Sequence, residues 1–277
     1  MTNKISIIIL HFGAWIHTKE CLDSLLKIKN PKFKVIIIDN SLDKEIQEKI
    51  KNHSRVDQLL IPEKNLGFAG GNNLGIKTAL ENESDYILFL NNDTLVSPDF
   101  LTNLLEVMEK EEKLGIAGPV IEHKVKDKTL YDYGGFIEWT KGQAKHLNKT
   151  EYKIEKDWQI RHFVSGCCML TKRQILQKIK GFDETFFLYL EDVDFCLRAK
   201  LAGFEIALIP QAKIFHKGSQ SSTELTKIAY SLRNSLKLVK RHIPKEYKFR
   251  AYLFNLYFYP SIFFWWNLKR LKNLLLK

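Results

Sequence analysis

Tyr86-Ile87-Leu88-Phe89-Leu90-Asn91-Asn92-Asp93 is an apolar run that stops abruptly at three polar side chains. A short, unbroken apolar stretch of this kind reads as a strand buried on both faces, the habit of a parallel sheet. The pattern recurs upstream. Ile5–Leu10 is apolar throughout, and Val35-Ile36-Ile37-Ile38 ends at Asp39-Asn40-Ser41. Segments with helical spacing lie between the runs: His17–Lys29, with Cys21, Leu22, Leu25 and Leu26 facing inward, and the polar Asp43–Lys51. Leu59–Ile61 is a further short strand. The glycine-rich Asn65–Gly75 reads as a loop that leads into a helix near Asn72–Leu80. Ser97-Pro98 opens another helix, since proline is tolerated in a first turn. This alternation predicts an α/β protein with a doubly wound, mainly parallel sheet covered on both faces.

The second half is less regular. Gly115–Val120 reads as a strand, Lys124–Asp157 as a polar hairpin or loop, and His162–Leu170 as a strand followed by a helix over Thr171–Ile179. Glu191–Leu201 is a helix stopped by Gly203, and Glu205–Ile209 is a last strand. From Thr223 onward the pattern is helical and basic. A boundary near Gly218–Ser222 divides the chain into residues 1–218 and 219–277.

The net charge of +11 is carried by that tail, because residues 212–277 hold 14 Lys and Arg against two acids. A protein that coats nucleic acid spreads its positive charge differently, so nucleic acid is not expected as a partner. Cysteines 21, 167, 168 and 196 lack metal-ligand spacing and read as buried free thiols in a reducing compartment. Ile5–Leu10 is too short for a targeting segment. No apolar run reaches the roughly 18–20 residues of a membrane-spanning helix. Ala251–Trp266 comes nearest, with Asn255 and Pro260 inside it. A cytoplasmic location is expected.

In an open parallel sheet, ligands bind beyond the carboxyl ends of the strands. Asp39 stands there and could accept hydrogen bonds from a nucleoside, or cap a turn. Asn91-Asn92-Asp93 resembles a weakened D-x-D metal motif, with Asp93 the natural ligand of a hard cation and an Asn amide oxygen assisting. Asn65-Leu66-Gly67-Phe68-Ala69-Gly70-Gly71-Asn72 lets backbone approach a ligand closely, and the following helix start offers N–H groups to an anion. The spacing is neither G-x-G-x-x-G nor a Walker A loop. Glu191-Asp192-Val193-Asp194 places three carboxylates in four residues at a helix start. Their mutual repulsion raises at least one pKa. Arg198 pairs with Asp194 at i, i+4, which leaves Glu191 and Asp192 for a pocket. His216, just after the last strand, suits a metal or a phosphate.

Taken in order, these blocks, with Gly181-Phe182-Asp183-Glu184 and His216-x-Gly218, resemble the inverting family 2 glycosyltransferases of the GT-A fold. The Asn-Leu-Gly-Phe-Ala-Gly-Gly-Asn and Glu-Asp-Val-Asp blocks are similar to the rhamnosyltransferase-like branch. The resemblance implies a role for each site. Asp39 contacts the nucleoside; Asn65, Gly67 and Asn72 line that pocket, with Asn92 at the strand end. Asp93 and His216 hold a divalent cation, Mg²⁺ or Mn²⁺, on the diphosphate. Asp192 is the general base, positioned by Glu191 or Asp194, and Gly166 lies near the sugar or the acceptor. Asn91 stands where many relatives carry the first Asp of D-x-D, which makes the cation seat less anionic. The implied donor is a nucleoside-diphosphate sugar, dTDP-rhamnose or a UDP-hexose. The implied acceptor is a glycan or lipid-linked hydroxyl in cell-surface polysaccharide assembly.

The tail adds a further expectation. Tyr252–Trp266 holds nine aromatics, and four basic residues follow in Asn267–Lys277. That mixture suits an anionic membrane surface, on the inner face of the cell membrane. Packing against the rest of the chain or a second subunit is the competing reading. Two other functions stay open on the residues alone. A nucleotidyltransferase would carry a basic glycine-rich loop after its first strand, where His11-Phe12-Gly13-Ala14-Trp15 stands instead. A non-catalytic basic-tailed binding protein would not need the acids at 93 and 192.

Overall fold

The computed structural model describes residues 3–154, 157–218 and 224–275, and side chains as far as Phe264. In chain order the elements are β1 (Ile5–His11), α1 (Trp15–Leu25), β2 (Lys34–Asp39), α2 (Lys44–Lys51), β3 (Gln58–Leu60), α3 (Gly67–Glu81), β4 (Tyr86–Asn91), β5 (Thr94–Val96) and α4 (Phe100–Lys110). Then come β6 (Leu114–Val125), β7 (Lys128–Glu138), β8 (Gln143–Lys149), β9 (Gln159–Ile160), β10 (Cys168–Lys172), α5 (Arg173–Ile179), α6 (Glu191–Leu201), β11 (Glu205–His216), α7 (Glu224–His242) and α8 (Lys245–Leu275).

The sheet runs in the order β3-β2-β1-β4-β10-β6-β11-β5. β3, β2, β1 and β4 are mutually parallel, as the buried apolar runs require, and β6 is parallel to β11. β10 enters antiparallel to both β4 and β6. The sheet is therefore mixed in its middle. Side chains along β1 alternate between two cores. Ile5, Ile7 and Ile9 pack under α1 and α4, while Ile8 joins Ile36, Ile38 and Phe89 on the opposite face. Burying each such side chain stabilises the fold by about 1.5–3 kcal/mol.

The glycine-rich stretch is not a loop. α3 begins at Gly67, two residues into it, and runs through the rest. Its glycines let the helix lie directly on the sheet. A Cβ on Gly71 would run into Leu10, and one on Gly75 would stand 2.7 Å from Ile8 Cγ2 and 2.9 Å from Ile38 Cδ1. Backbone approach here serves packing, a use that composition cannot tell apart from ligand approach. The polar stretch 124–157 forms the β7–β8 hairpin, hung on the end of β6. β11 extends seven residues past the expected Ile209, through a register shift between Ile209 and Lys213, and so reaches His216.

Most of the expected boundary, residues 219–222, lies outside the described residues. The helices after it are part of the body of the protein. Leu238, Val239, Ile243 and Ala251 are fully or almost fully buried in the second core. Asn255 Nδ2 donates to the Lys141 carbonyl oxygen at 2.7 Å, which pins α8 to the hairpin turn.

Gly75→Val should lower unfolding free energy by about 1–3 kcal/mol through overpacking against Ile8 and Ile38. A urea midpoint equal to wild type would show that the α3–sheet contact yields.

Candidate active site

β4 delivers Asn91 to the carboxyl edge of the sheet, and the chain then turns through Asn92 and Asp93 into β5. Thr94 Oγ1 donates to the Asn91 carbonyl oxygen at 2.7 Å. Asn92 Nδ2 donates to Thr18 Oγ1 at 2.9 Å. β5 pairs antiparallel with β11, so that His216 stands opposite Thr94. The Lys217 N–H donates to the Asp93 carbonyl oxygen at 3.0 Å. This pairing brings His216 Nε2 to 3.1 Å from Asp93 Oδ1. The contact is close but poorly aligned. Asp93 Oδ2 and His216 Nε2 are both buried with no hydrogen-bond partner. Among the described residues no group of three or more His, Cys, Asp or Glu could hold a metal. What the two side chains present is a carboxylate oxygen and an imidazole nitrogen left without hydrogen bonds near one another.

Asp192 lies in the first turn of α6. Its Oδ2 accepts from the Gly166 N–H at 2.8 Å, and its Oδ1 from the Val193 N–H at 2.8 Å. A side chain at Gly166 would crowd Asp192, with a Cβ 3.0 Å from the Asp192 Cβ. The next residue, Cys167, accepts at its carbonyl oxygen from the Asn91 N–H at 2.8 Å. Two consecutive residues thus hold the acid on one side and the Asn91-Asn92-Asp93 turn on the other. The buried Cys167 thiol is pushed up by burial, and further by the charges of Asp93, Asp132 and Asp192 together. Burial raises Asp192 above the ordinary carboxylate range, against the pull of the Gly166 N–H and His146. Glu191 is raised well above its usual value by burial and by the charge of Asp192, and its Oε2 has no partner.

α6 is entered through Tyr189 and Leu190, both left-handed at φ 69° and 66°. Asn234 on α7 donates from Nδ2 to the carbonyl oxygens of Leu188 and Tyr189, each at 2.8 Å. Asp194 is fully buried, receiving Arg198 Nε at 2.7 Å and His242 Nε2 at 2.8 Å. Burial opposes ionisation of Asp194, yet these bonds hold it below its ordinary 3.8. Asp194 pairs with Arg198 as expected. It also belongs to a clamp that runs from α7 to the start of α6.

Asp39, Asn65, Gly67 and Asn72 gather separately, where β2 meets α3. Asp39 is buried, and its oxygens already accept from the Ser41 N–H and hydroxyl and from Gln47 Nε2 at 2.9, 2.6 and 2.9 Å. Asn40 Nδ2 donates to the Gly67 carbonyl oxygen at 3.0 Å and ties the two blocks together. The first two N–H groups of α3 are not free for an anion. Gly67 donates to Asn65 Oδ1 at 2.8 Å, and Phe68 to the Phe187 carbonyl oxygen at 3.0 Å. Asn72 Nδ2 turns back to the Phe68 carbonyl oxygen at 2.9 Å. The sequence did not single out Asn234, His242, or the pair formed by Asp132 and His146. The first two sit on an ordinary basic helix, and the pair lies in a stretch without periodicity.

The Asn91-Asn92-Asp93 turn and the half-buried Asp192 are held by adjacent residues, 166 and 167, at the carboxyl edge of an α/β sheet, where ligands of such sheets bind. The whole-chain comparisons agree. Residues 6–180 match the model described as glycosyl transferase family 2, and residues 145–218 match one described as the N-terminal domain of galactosyltransferase. The chain belongs to glycosyl transferase family 2. It is 26% identical over 223 residues to the rhamnosyltransferase WbbL of Escherichia coli, covering 76% of this chain and 83% of the relative. It is 24% identical over 245 residues to the N-acetylglucosaminyl-diphospho-decaprenol L-rhamnosyltransferase of Mycobacterium tuberculosis, covering 80% of this chain and 78% of that one. The fold matches GalNAc-T7 solved with UDP, GalNAc and Mn²⁺, with TM-score 0.66 and 16% identity over 86% of this chain. The chain spans about half of that neighbour, 48% of its length.

Asp194→Asn should destabilise the protein by about 3 kcal/mol or more, because it leaves Arg198 and His242 facing a neutral group. Asp194 titrates at lower pH folded than unfolded, so its stabilisation is present above pH 3.8 and fades as pH falls through the folded value. Urea midpoints of wild type and variant should converge only in that acidic range. Convergence at neutral pH would remove the clamp.

Proposed function

We propose that this protein transfers a sugar, a rhamnosyl group in preference to a hexosyl group of a UDP-sugar, from a nucleoside diphosphate to a hydroxyl of a lipid-linked glycan. The reading is supported most directly by residues 166 and 167, which hold Asp192 and the Asp93 turn in one place. The rhamnosyltransferase relatives support the donor, and the diphospho-decaprenol relative supports the lipid-linked acceptor.

Asp192 is the general base. It is half-buried, oriented by Gly166, and takes the proton of the acceptor hydroxyl as that oxygen attacks the anomeric carbon. Such a base contributes typically 10²–10⁴-fold. Burial and the neighbouring charge of Asp192 disfavour ionisation of Glu191, which leaves Asp192 as the better base of the two. Asp93 and His216, with one hard oxygen and one imidazole nitrogen, would hold Mg²⁺ or Mn²⁺ beside the diphosphate. When bound, the cation supplies Lewis-acid stabilisation of the departing diphosphate. A base and a cation seat on opposite sides of the sugar suit one in-line displacement with inversion, with no enzyme nucleophile. The Asp39–Asn65–Gly67–Asn72 corner takes the nucleoside, through the lone pairs of Asp39 that its internal bonds leave over.

Residues 219–277 serve as an attachment unit built onto residues 1–218. On α8 the exposed Phe249, Leu253, Leu256, Tyr257 and Phe264 follow helical spacing along one face. With the 14 basic residues of 212–277, this face suits an anionic bilayer. Among the described residues no helix is long and apolar enough to cross a membrane, so attachment would be to the surface.

With dTDP-rhamnose, Mg²⁺ or Mn²⁺ and an N-acetylglucosaminyl-diphospho-lipid, the protein should release dTDP faster than it releases UDP from UDP-hexoses. Asp192→Asn should lower kcat by about 10²–10⁴-fold and keep the thermal shift caused by donor and cation. Wild-type turnover in that variant would refute the base.

Vesicles containing phosphatidylglycerol should float the full-length protein, and vesicles of phosphatidylcholine alone should float it much less. A Phe249→Ser/Leu253→Ser/Tyr257→Ser variant should stay at the bottom of the gradient. Equal flotation of variant and wild type would detach the α8 face from the membrane.

A further inference from the structure

The turn between β7 and β8 is pressed onto α7 and α8. A Cβ on Gly142 would stand 2.6 Å from Val239 Cγ2 and 3.0 Å from Ala251 Cβ. Asn255 holds the carbonyl oxygen of the preceding residue, Lys141. Just past this closure the surfaces part. A cavity of about 170 Å³ opens between Gln143 and Lys145 on β8, Leu190 at the entry to α6, Ser235 on α7, and Phe258 and Tyr259 on α8. That is about the room that holds one six-membered ring.

The lining has a definite chemistry. Gln143 is only 7% exposed, and its side-chain amide has no hydrogen-bond partner among the described residues. Buried amides are ordinarily paired, so this one keeps two N–H donors and an acceptor oxygen for a ligand. Lys145 has 44% of its side chain exposed. Its partner Glu138 is shared: Oε1 takes Lys141 at 2.7 Å, and Lys145 reaches Oε2 only at 3.9 Å. Phe258 and Tyr259 stand edge to face, centroids 5.2 Å apart, and supply aromatic surface. Leu190 is the residue before α6, two ahead of Asp192. No lining residue belongs to β2 or α3, where the nucleoside corner lies, or to the Asn91-Asn92-Asp93 turn. Leu256 and Tyr257, next to Phe258 on α8, are exposed on the face that suits a bilayer.

We propose that this cavity is the acceptor subsite: it seats the sugar ring that carries the attacking hydroxyl, with Lys145 on the diphosphate that joins this sugar to its lipid. The proposal rests on the reading of the protein as a transferase that acts on a lipid-linked glycan. Each group meets a matching part of such an acceptor. The Gln143 amide both donates to and accepts from hydroxyl or acetamido groups. Aromatic surface, negative at the ring face, suits the C–H face of a pyranose. The diphosphate is anionic where Lys145 is cationic, and charge-assisted bonds of this kind are the strong ones. The order of parts follows. The lipid leaves toward the exposed face of α8, the diphosphate lies at Lys145, and the sugar lies between Gln143 and Leu190, on the side where α6 presents Asp192.

Lys145→Ala and Gln143→Leu should each raise KM for an N-acetylglucosaminyl-diphospho-lipid by about tenfold or more. The kcat and the KM for dTDP-rhamnose should change little. Lost binding that ground state and transition state share has this signature, whereas damage to the fold lowers kcat or moves both KM values together. Lys145→Arg keeps the charge and should recover most of the acceptor affinity. An acceptor KM at the wild-type value in either Lys145→Ala or Gln143→Leu overturns the proposal. A second measurement needs no turnover. N-acetylglucosaminyl diphosphate carrying a short alkyl chain should raise the melting temperature of wild type and not that of Lys145→Ala, while dTDP with Mn²⁺ shifts both equally. Equal shifts of wild type and variant by the acceptor analogue overturn the proposal as well. If the analogue's shift is lost in the variant while no sugar nucleotide is ever turned over, the subsite stands and the donor reading is what fails. If transfer proceeds with wild-type acceptor KM in these variants, the subsite fails and the transferase reading stands.

Discussion

Tyr189 and Leu190 hold the left-handed conformation in succession, with side chains that ordinarily avoid it. Each such residue costs of order 1–3 kcal/mol and persists only when its surroundings over-determine it. Here the surroundings are α7. Asn234 bonds the two carbonyl oxygens on the approach to α6, His242 bonds Asp194 within its first turn, and Tyr230 stacks on Phe187 with centroids 5.7 Å apart. Lys237 and Arg241 lie over the Phe186 ring, 5.2 Å from its centroid. The position of Asp192 follows from this turn, because Asp192 is the second residue after it. Without the clamp α6 would begin elsewhere, and the Gly166 N–H would lose its acceptor.

The same constraint explains why Gly166 has no side chain. Gly166 lies two residues before β10, and there its N–H meets Asp192 in the first turn of α6. A Cβ there would also meet Phe68 at 3.3 Å. Phe68 belongs to the cluster of Phe89, Phe182 and Phe195, whose rings are 4.5–6.1 Å apart. That cluster joins α3, β4 and α6 into one unit. Positioning the acid is thus a property of the second core, and substitutions in its aromatics would reach the site through packing.

Much of this was legible in the sequence where local pattern and tertiary role coincide. The runs at 5–10, 35–38 and 86–90 are strands because they are buried on both faces, and the acids at their ends lie at the sheet edge because the strands stop there. Glu191–Leu201 was readable as a helix for the same local reason. The glycine block was read as a loop and is a helix from Gly67 on, because close backbone approach by glycine serves a ligand and a β-sheet equally well. Only Ile8, Ile38 and Leu10, distant in sequence, decide between the two. Asn234 and His242 were illegible because nothing local marks a helical Asn whose partners lie 45 and 46 residues earlier. Asp132 and His146 depend on a bulge, which a period-2 pattern cannot announce.

The tail was expected as a basic helical extension, with packing on the rest of the chain standing beside membrane attachment, and part of it is buried in the second core. The exposed face of α8 and the buried face of α7 belong to one packed pair of helices, joined through Pro244 and anchored at Asn255. Leu238, Val239 and Ala251, on the same pair of helices as Asn234 and His242, are fully buried. The helix proposed to meet a membrane and the helix that sets the entry to α6 therefore pack against each other. An acceptor carried on a lipid would meet Asp192 at a depth fixed by the geometry of α7 and α8. That depth would not depend on the mobility of a linker.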